Sequence, residues 1–183
     1  MTTFKAMMWK ALGAFLLACP AVATAAPLKF DCDVPPNHFS SVSEDVNGPM
    51  TVSGTIQPVQ MRSGDNLPVA GVRFISADEK NGAGFQLVAS SARAKQLSIV
   101  LNTRINGELK QASVGQIGAG ETIPFRFTLS EPGKAVLVVG GATFSADFLP
   151  MSTGKGVAFC STGQFKFSDL EFAGNGAPAI TSP

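Results

Sequence analysis

The sequence predicts an all-β protein built as a two-sheet antiparallel sandwich. Three observations lead there. Apolar and polar residues alternate with a period of two through most of the chain from residue 28 onward. Clusters of Gly, Pro, Asn and Asp interrupt these runs about every ten to fifteen residues. Helical periodicity is weak, with room for a single turn over Ala92 to Gln96. The chain has 183 residues, 45% hydrophobic and 15% charged, which fits one folded domain and excludes a disordered chain. Lys plus Arg number 14 and Asp plus Glu 13, so the charge balance offers no case for a nucleic-acid partner.

The first 25 residues have the form of a secretory signal. Lys5 and Lys10 precede an apolar run from Ala11 to Ala18, and Ala23 and Ala25 supply a small-x-small cleavage site. The apolar run is far shorter than the roughly 20 residues that a membrane span needs. A second processing route competes. Leu16-Leu17-Ala18-Cys19 resembles a lipobox, in which Cys19 would carry a lipid anchor on an outer-membrane lipoprotein. The Ala-Thr-Ala site favours soluble export, to the periplasm or outside the cell. Cleavage after Ala25 removes Lys5 and Lys10 and lowers the formal charge of +1 by two. It also removes Trp9, and with no Tyr in the chain, Phe is then the one aromatic type left.

Cys32 and Cys160 remain. An even pair in an exported chain points to a disulfide. A redox pair or metal ligation are the alternatives, and no Cys-x-x-Cys spacing supports them.

The strands follow in order. Leu28, Phe30 and Cys32 alternate with Lys29, Asp31 and Asp33, which turns Cys32 inward and both Asp outward. Pro35-Pro36-Asn37 stops this strand, and a loose polar stretch is expected up to Gly48-Pro49. Met50 to Ile56 alternates again, and Ser63-Gly64-Asp65-Asn66 is turn chemistry. Val69 to Ser76, Gly84 to Ala89 and Leu97 to Ile105 are further strands. Asn106-Gly107 is a hairpin signal because both residues tolerate positive φ, and Glu108 to Val114 returns. Ile123, Phe125, Phe127 and Leu129 alternate with polar partners without a break. Glu131-Pro132-Gly133-Lys134 predicts a type II turn with Pro second and Gly third. Ala135 to Val139, Ala142 to Phe148, Val157 to Cys160 and Phe165 to Phe172 complete ten or eleven strands. The domain is thus expected over 26–173, with a disordered tail over 174–183.

In the last strand, Phe165 and Phe167 share one parity and Leu170 and Phe172 the other. A bulge near Ser168, or a strand apolar on both sides, accounts for this. Either way Asp169 and Glu171 are expected side by side.

The stretch Gly156-Val157-Ala158-Phe159-Cys160-Ser161-Thr162-Gly163-Gln164-Phe165-Lys166-Phe167-Ser168-Asp169-Leu170-Glu171-Phe172 resembles the closing strands of concanavalin A-like lectin/glucanase (laminin-G-like) jelly rolls. Gly84-Phe85-Gln86-Leu87-Val88 and Phe125-Arg126-Phe127-Thr128-Leu129 are similar to their middle strands. The likeness is one of pattern and covers residues 28 to 172. It implies a jelly roll whose first and last strands lie close together, which suits a Cys32–Cys160 bridge, and it allows a carbohydrate ligand. The Glu-x-Asp-x-x-Glu strand of the superfamily's glycanases is absent.

Candidate site residues are few. Asp169 and Glu171 could serve as the two carboxylates that glycoside hydrolysis requires about 5–10 Å apart, but a solvated pair is the simpler reading. Together with Gln164 they are the candidate ligand-binding residues. Asp31 and Asp33 could hold Ca²⁺, against a plain charged edge. His38 has no nucleophile pattern around it. Ser161 to Gln164 is expected to be a hairpin turn. Sugar sites often stack a ring on Trp or Tyr, which the processed chain lacks. The sequence therefore favours an exported, non-catalytic module for a glycan or a surface protein. A structural or adhesion subunit, or a hydrolase using Asp169 and Glu171, are the alternatives.

Processed protein isolated from its natural compartment should absorb almost nothing at 280 nm beyond its disulfide, and mass analysis without reductant should find no free thiol. Strong absorbance would place Trp9, and so the leader, in the mature chain.

Overall fold

The computed structural model describes residues 27–130 and 133–174. The leader, Cys19, Glu131, Pro132 and the tail from residue 175 lie outside the described residues. Twelve strands follow: β1 (Leu28–Asp33), β2 (Phe39–Asn47), β3 (Met50–Met61), β4 (Val69–Ser76), β5 (Gly82–Ala89), β6 (Gln96–Ile105), β7 (Glu108–Gly118), β8 (Ile123–Ser130), β9 (Lys134–Val139), β10 (Ala142–Asp147), β11 (Thr153–Ser161) and β12 (Gly163–Gly174). No helix occurs among the described residues, and the Ala92 region is a turn closed by the Ala94 N–H on the Ser91 carbonyl.

The strands form two six-stranded antiparallel sheets. The first runs β1-β12-β3-β8-β9-β10 and the second β2-β11-β4-β5-β6-β7. Alternation decides which side chains meet between them. Phe125, Phe127 and Leu129 face inward from β8, while Pro124 and Arg126 face out. Phe74 and Phe85 of the second sheet meet Phe127 and Phe125 of the first, with ring centroids 5.2–5.9 Å apart. These four rings sit at the centre of a continuous apolar core.

Cys32 and Cys160 are bonded, 128 positions apart, and both are buried. The bridge is a tie between layers, because β1 belongs to the first sheet and β11 to the second. Closing so long a loop constrains the unfolded chain by roughly 5 kcal/mol on chain-entropy estimates.

Three expectations need correction. The polar stretch before Gly48 is strand β2, paired along its length with β11. Ser and acidic residues fill it because an edge strand is exposed over most of both faces, and Val46 is its one fully buried side chain. Ser161 to Gln164 is not a hairpin: β11 and β12 lie in different sheets, so the chain turns a corner there. Thr162 makes that corner at φ 52, wholly buried, its hydroxyl accepting from the Asn37 N–H at 3.2 Å. Glu131 and Pro132 of the turn expected before β9 lie outside the described residues; Gly133 has φ 78 and its N–H donates to the Ser130 carbonyl at 3.1 Å. The strands number twelve, not ten or eleven.

The bulge in the last strand is present. Asp169 adopts φ 51, and the β12–β3 register slips between Ser168 and Glu171. Phe165, Phe167 and Leu170 therefore all face the core. Gly54 stands opposite, where a Cβ would meet the Ser168 carbonyl oxygen at 2.9 Å. Asn106-Gly107 turns the β6–β7 hairpin with both φ values positive, as expected.

Replacing both cysteines with Ala should lower the unfolding free energy by about 2–5 kcal/mol in urea titration while far-UV circular dichroism keeps its strand signature. Unchanged stability would show that the tie contributes nothing.

Candidate functional site

The outer face of the second sheet carries a shallow depression. Its floor follows from glycines. Gly82 and Gly84 on β5 point outward and line it, so that strand offers no side-chain bulk there; Gly71 on β4 points the same way in the neighbouring row. Close strand approach also requires them: a Cβ on Gly84 would meet the Val72 carbonyl oxygen at 2.5 Å and the Arg73 Cβ at 2.7 Å.

Register sets the walls. One row across the sheet reads Ser43, Val157, Arg73, Gly84, Asn102 and Gln111. The next row on one side places Lys155, Ile75, Gly82, Arg104 and Leu109; on the other it places Phe159, Gly71, Gln86 and Val100. Hydrogen-bonding side chains thus surround an empty centre. Gln111 Nε2 donates to Asn102 Oδ1 at 3.1 Å, which leaves the Asn102 amide N–H groups for another acceptor.

Phe159 is buried, yet it belongs to this outer face and not to the core between the sheets. Phe39 lies against it with ring centroids 5.9 Å apart and stays 55% exposed. The Arg73 guanidinium covers Phe159, its central carbon 5.3 Å from the ring centroid. The face therefore offers an apolar strip beside a polar trough.

No Asp, Glu, His, Cys, Lys or Tyr lines the depression. It can bind and orient a ligand, but it holds no side chain suited to take or give a proton near neutral pH.

The residues singled out from sequence lie elsewhere. Asp169 and Glu171 are exposed on β12 of the first sheet. No hydrogen bond or ion pair engages either carboxylate among the described residues. Gln164 begins the same strand and donates through Nε2 to Asp31 Oδ1 at 3.0 Å, so it does not join the other two. Lys166 Nζ lies 3.9 Å from the same carboxylate. Asp33 pairs with Arg62 at 2.7 Å, and Arg62 also donates to the Val34 carbonyl. Asp31 and Asp33 thus neutralise basic neighbours, and no group of three or more potential metal ligands occurs among the described residues. His38 is exposed, its Nδ1 2.9 Å from the Pro36 carbonyl oxygen. Asp78, in the turn after β4, has its carboxyl held below the usual range, chiefly by the Ser76 hydroxyl, and serves to lock that turn.

The two antiparallel sheets form a sandwich whose fold is like that of concanavalin A-like jelly rolls. Among solved structures, the chain is similar to an alginate lyase from Alteromonas sp. 272 with a TM-score of 0.55 and 11% identity, over 83% of this chain and 89% of that one. It is similar to the carbohydrate binding module CBM66 from Bacillus subtilis with a TM-score of 0.51 and 12% identity, over 81% and 93%. A Bacillus licheniformis beta-glucanase gives 0.51 and 11%, over 85% and 96%. At these identities the likeness is one of fold, shared by enzymes and binding modules alike. No family model and no curated protein matches the sequence.

Gly84→Ala should cost about 1–3 kcal/mol of stability by thermal or urea unfolding, since backbone blocks its Cβ. Gly120→Ala, where nothing lies within 4 Å, should change stability by less than about 0.5 kcal/mol. Equal effects would mean that close strand packing does not explain the glycine floor.

Proposed function

We propose that this protein is an exported, non-catalytic module that binds a glycan in the glycine-floored depression of the second sheet. One observation carries the reading: the depression presents Gln86, Asn102, Gln111 and Arg73 beside the Phe159–Phe39 strip, and no proton-transfer group lines it. A sugar needs many directional hydrogen bonds and an apolar surface for its C–H faces. Phe39 and Phe159 answer the lack of Trp and Tyr, since a phenyl ring offers such a surface. The carbohydrate binding module and the glycan-processing enzymes among the structural neighbours support a glycan over other ligands. The leader over residues 1–25 and the inter-sheet disulfide support export. No helix among the described residues is long and apolar enough to cross a membrane.

A hydrolase centred on Asp169 and Glu171 gains no support from their setting. A general acid needs its pKa raised by burial or a like charge, and Asp169 is an exposed bulge residue on an open strand face.

Screening the processed protein on a glycan array, with and without Ca²⁺, tests the proposal. At least one glycan class should be retained. Gln86→Ala or Asn102→Ala should weaken it about two- to tenfold, as expected for losing one neutral hydrogen bond. Asp169→Asn and Glu171→Gln should bind as the parent does. Retention of no glycan, or cleavage of one that Asp169→Asn abolishes, would overturn it.

A further inference from the structure

We infer that the ligand of this depression is an anionic glycan, whose carboxylate or sulfate groups sit on Arg73 and Arg104. The inference rests on the proposal that the depression binds a glycan, and it adds the ligand's charge.

Arg73 on β4 and Arg104 on β6 project from one face of the sheet, on either side of the glycine floor of β5. Arg73 stands opposite Gly84 and Arg104 opposite Gly82. Their Cα atoms are two strand spacings apart, about 10 Å, and one row apart along the strands, about 7 Å. No Asp or Glu lines the depression. Among the described residues neither guanidinium pairs with a carboxylate. Arg62, Lys134 and Lys166, all on the first sheet or just beyond it, each have an acidic partner. Lys155 of the same outer face, and Lys29 and Arg126 of the first sheet, also lack a carboxylate partner among the described residues, so what distinguishes Arg73 and Arg104 is that both line one trough with no acid in it.

A docked ligand displaces water from those two charges. A neutral sugar would return only hydroxyl oxygens to them. A carboxylate or sulfate returns charge-assisted bonds, and the planar fork of a guanidinium matches two oxygens of such a group at once. Phe159 under Arg73 restrains that fork before binding and so lowers the entropy cost of engaging an anion. Asn102 shares the row of Arg73 and stands two residues before Arg104 on β6 with its amide N–H groups free, which adds donors to the same face. Two cations set this far apart suit a polymer that repeats its charge along the chain.

The test titrates the processed protein with polygalacturonate, dextran sulfate and uncharged dextran by affinity electrophoresis and calorimetry, at low and at physiological ionic strength. The variants are Arg73→Gln, Arg104→Gln, their double, and Arg126→Gln as a control on the exposed face of the first sheet. We expect binding to a charged polymer that weakens with salt. Each single variant should lose about tenfold or more, and the double more again, while Arg126→Gln stays as the parent. Polygalacturonate against dextran sulfate separates carboxylate from sulfate as the preferred anion. Binding confined to uncharged glycans, or equal losses in Arg126→Gln, would overturn the anionic inference and leave glycan binding standing. Failure to bind these polymers together with an empty glycan array would instead bring down the glycan proposal itself. Circular dichroism of each variant checks that the fold is kept.

Discussion

The packing of four phenyl rings between two layers is the constraint on which the rest of the molecule depends. Phe74 and Phe85 must face Phe125 and Phe127. Once they do, the period-two geometry of a strand decides the side of every other residue in β4, β5 and β8. The neighbouring strands inherit that parity through their register. The outer face of the second sheet is in this sense a by-product of the core: Arg73 points out because Val72 and Phe74 point in. The bulge at Asp169 shows how strictly the rule is kept. The last strand switches the parity of its apolar residues, and one residue in the left-handed region resets the phase so that Leu170 still reaches the interior. That residue is tolerated as Asp because its carboxylate is in water, and because Gly54 yields the space opposite.

Much of this architecture was legible in the residues. The unbroken alternation of Ile123 to Leu129, the Asn106-Gly107 hairpin and the lone pair of cysteines each rest on a local physical rule, and each is found as expected. Strand β2 was not legible. As an edge strand it leaves most of both faces in water, so the alternation that marks other strands is diluted by Ser, Asp and Glu. The corner at Thr162 was hidden for another reason. Whether a short link joins strands within one sheet or between two depends on partners distant in the sequence, here β2 and β4 for one arm and β1 and β3 for the other.

The candidate site was barely legible at all. Sequence reasoning attends to side chains that carry chemistry, and it settled on Asp31, Asp33, Gln164, Asp169 and Glu171. The depression is defined instead by side chains that are missing. Gly82 and Gly84 look like turn and strand-start residues in isolation. Only the lateral pairing shows that Gly84 stands between Arg73 and Asn102, residues 29 positions apart in the chain, and Gly82 between Ile75 and Arg104. Phe159 was hidden by its company, since it sits in an apolar run beside Ala158 and Cys160. The available signal was the outward phase of β5, whose first three positions, Gly82, Gly84 and Gln86, offer neither a charge nor an apolar group.

The sulfur bridge between Cys32 and Cys160 also sets how the domain bears load. Any tension that reaches it through the segments before β1 and after β12 passes from one to the other by way of that covalent link. The 128 positions between the two cysteines, about 430 Å of chain if drawn straight, are shunted out of the path. A tug on both flanks can strip β1 up to Cys32 and can strip β12 from β3, but it does not stretch the strands between the two cysteines, so the sheet with its open arginines stays slack.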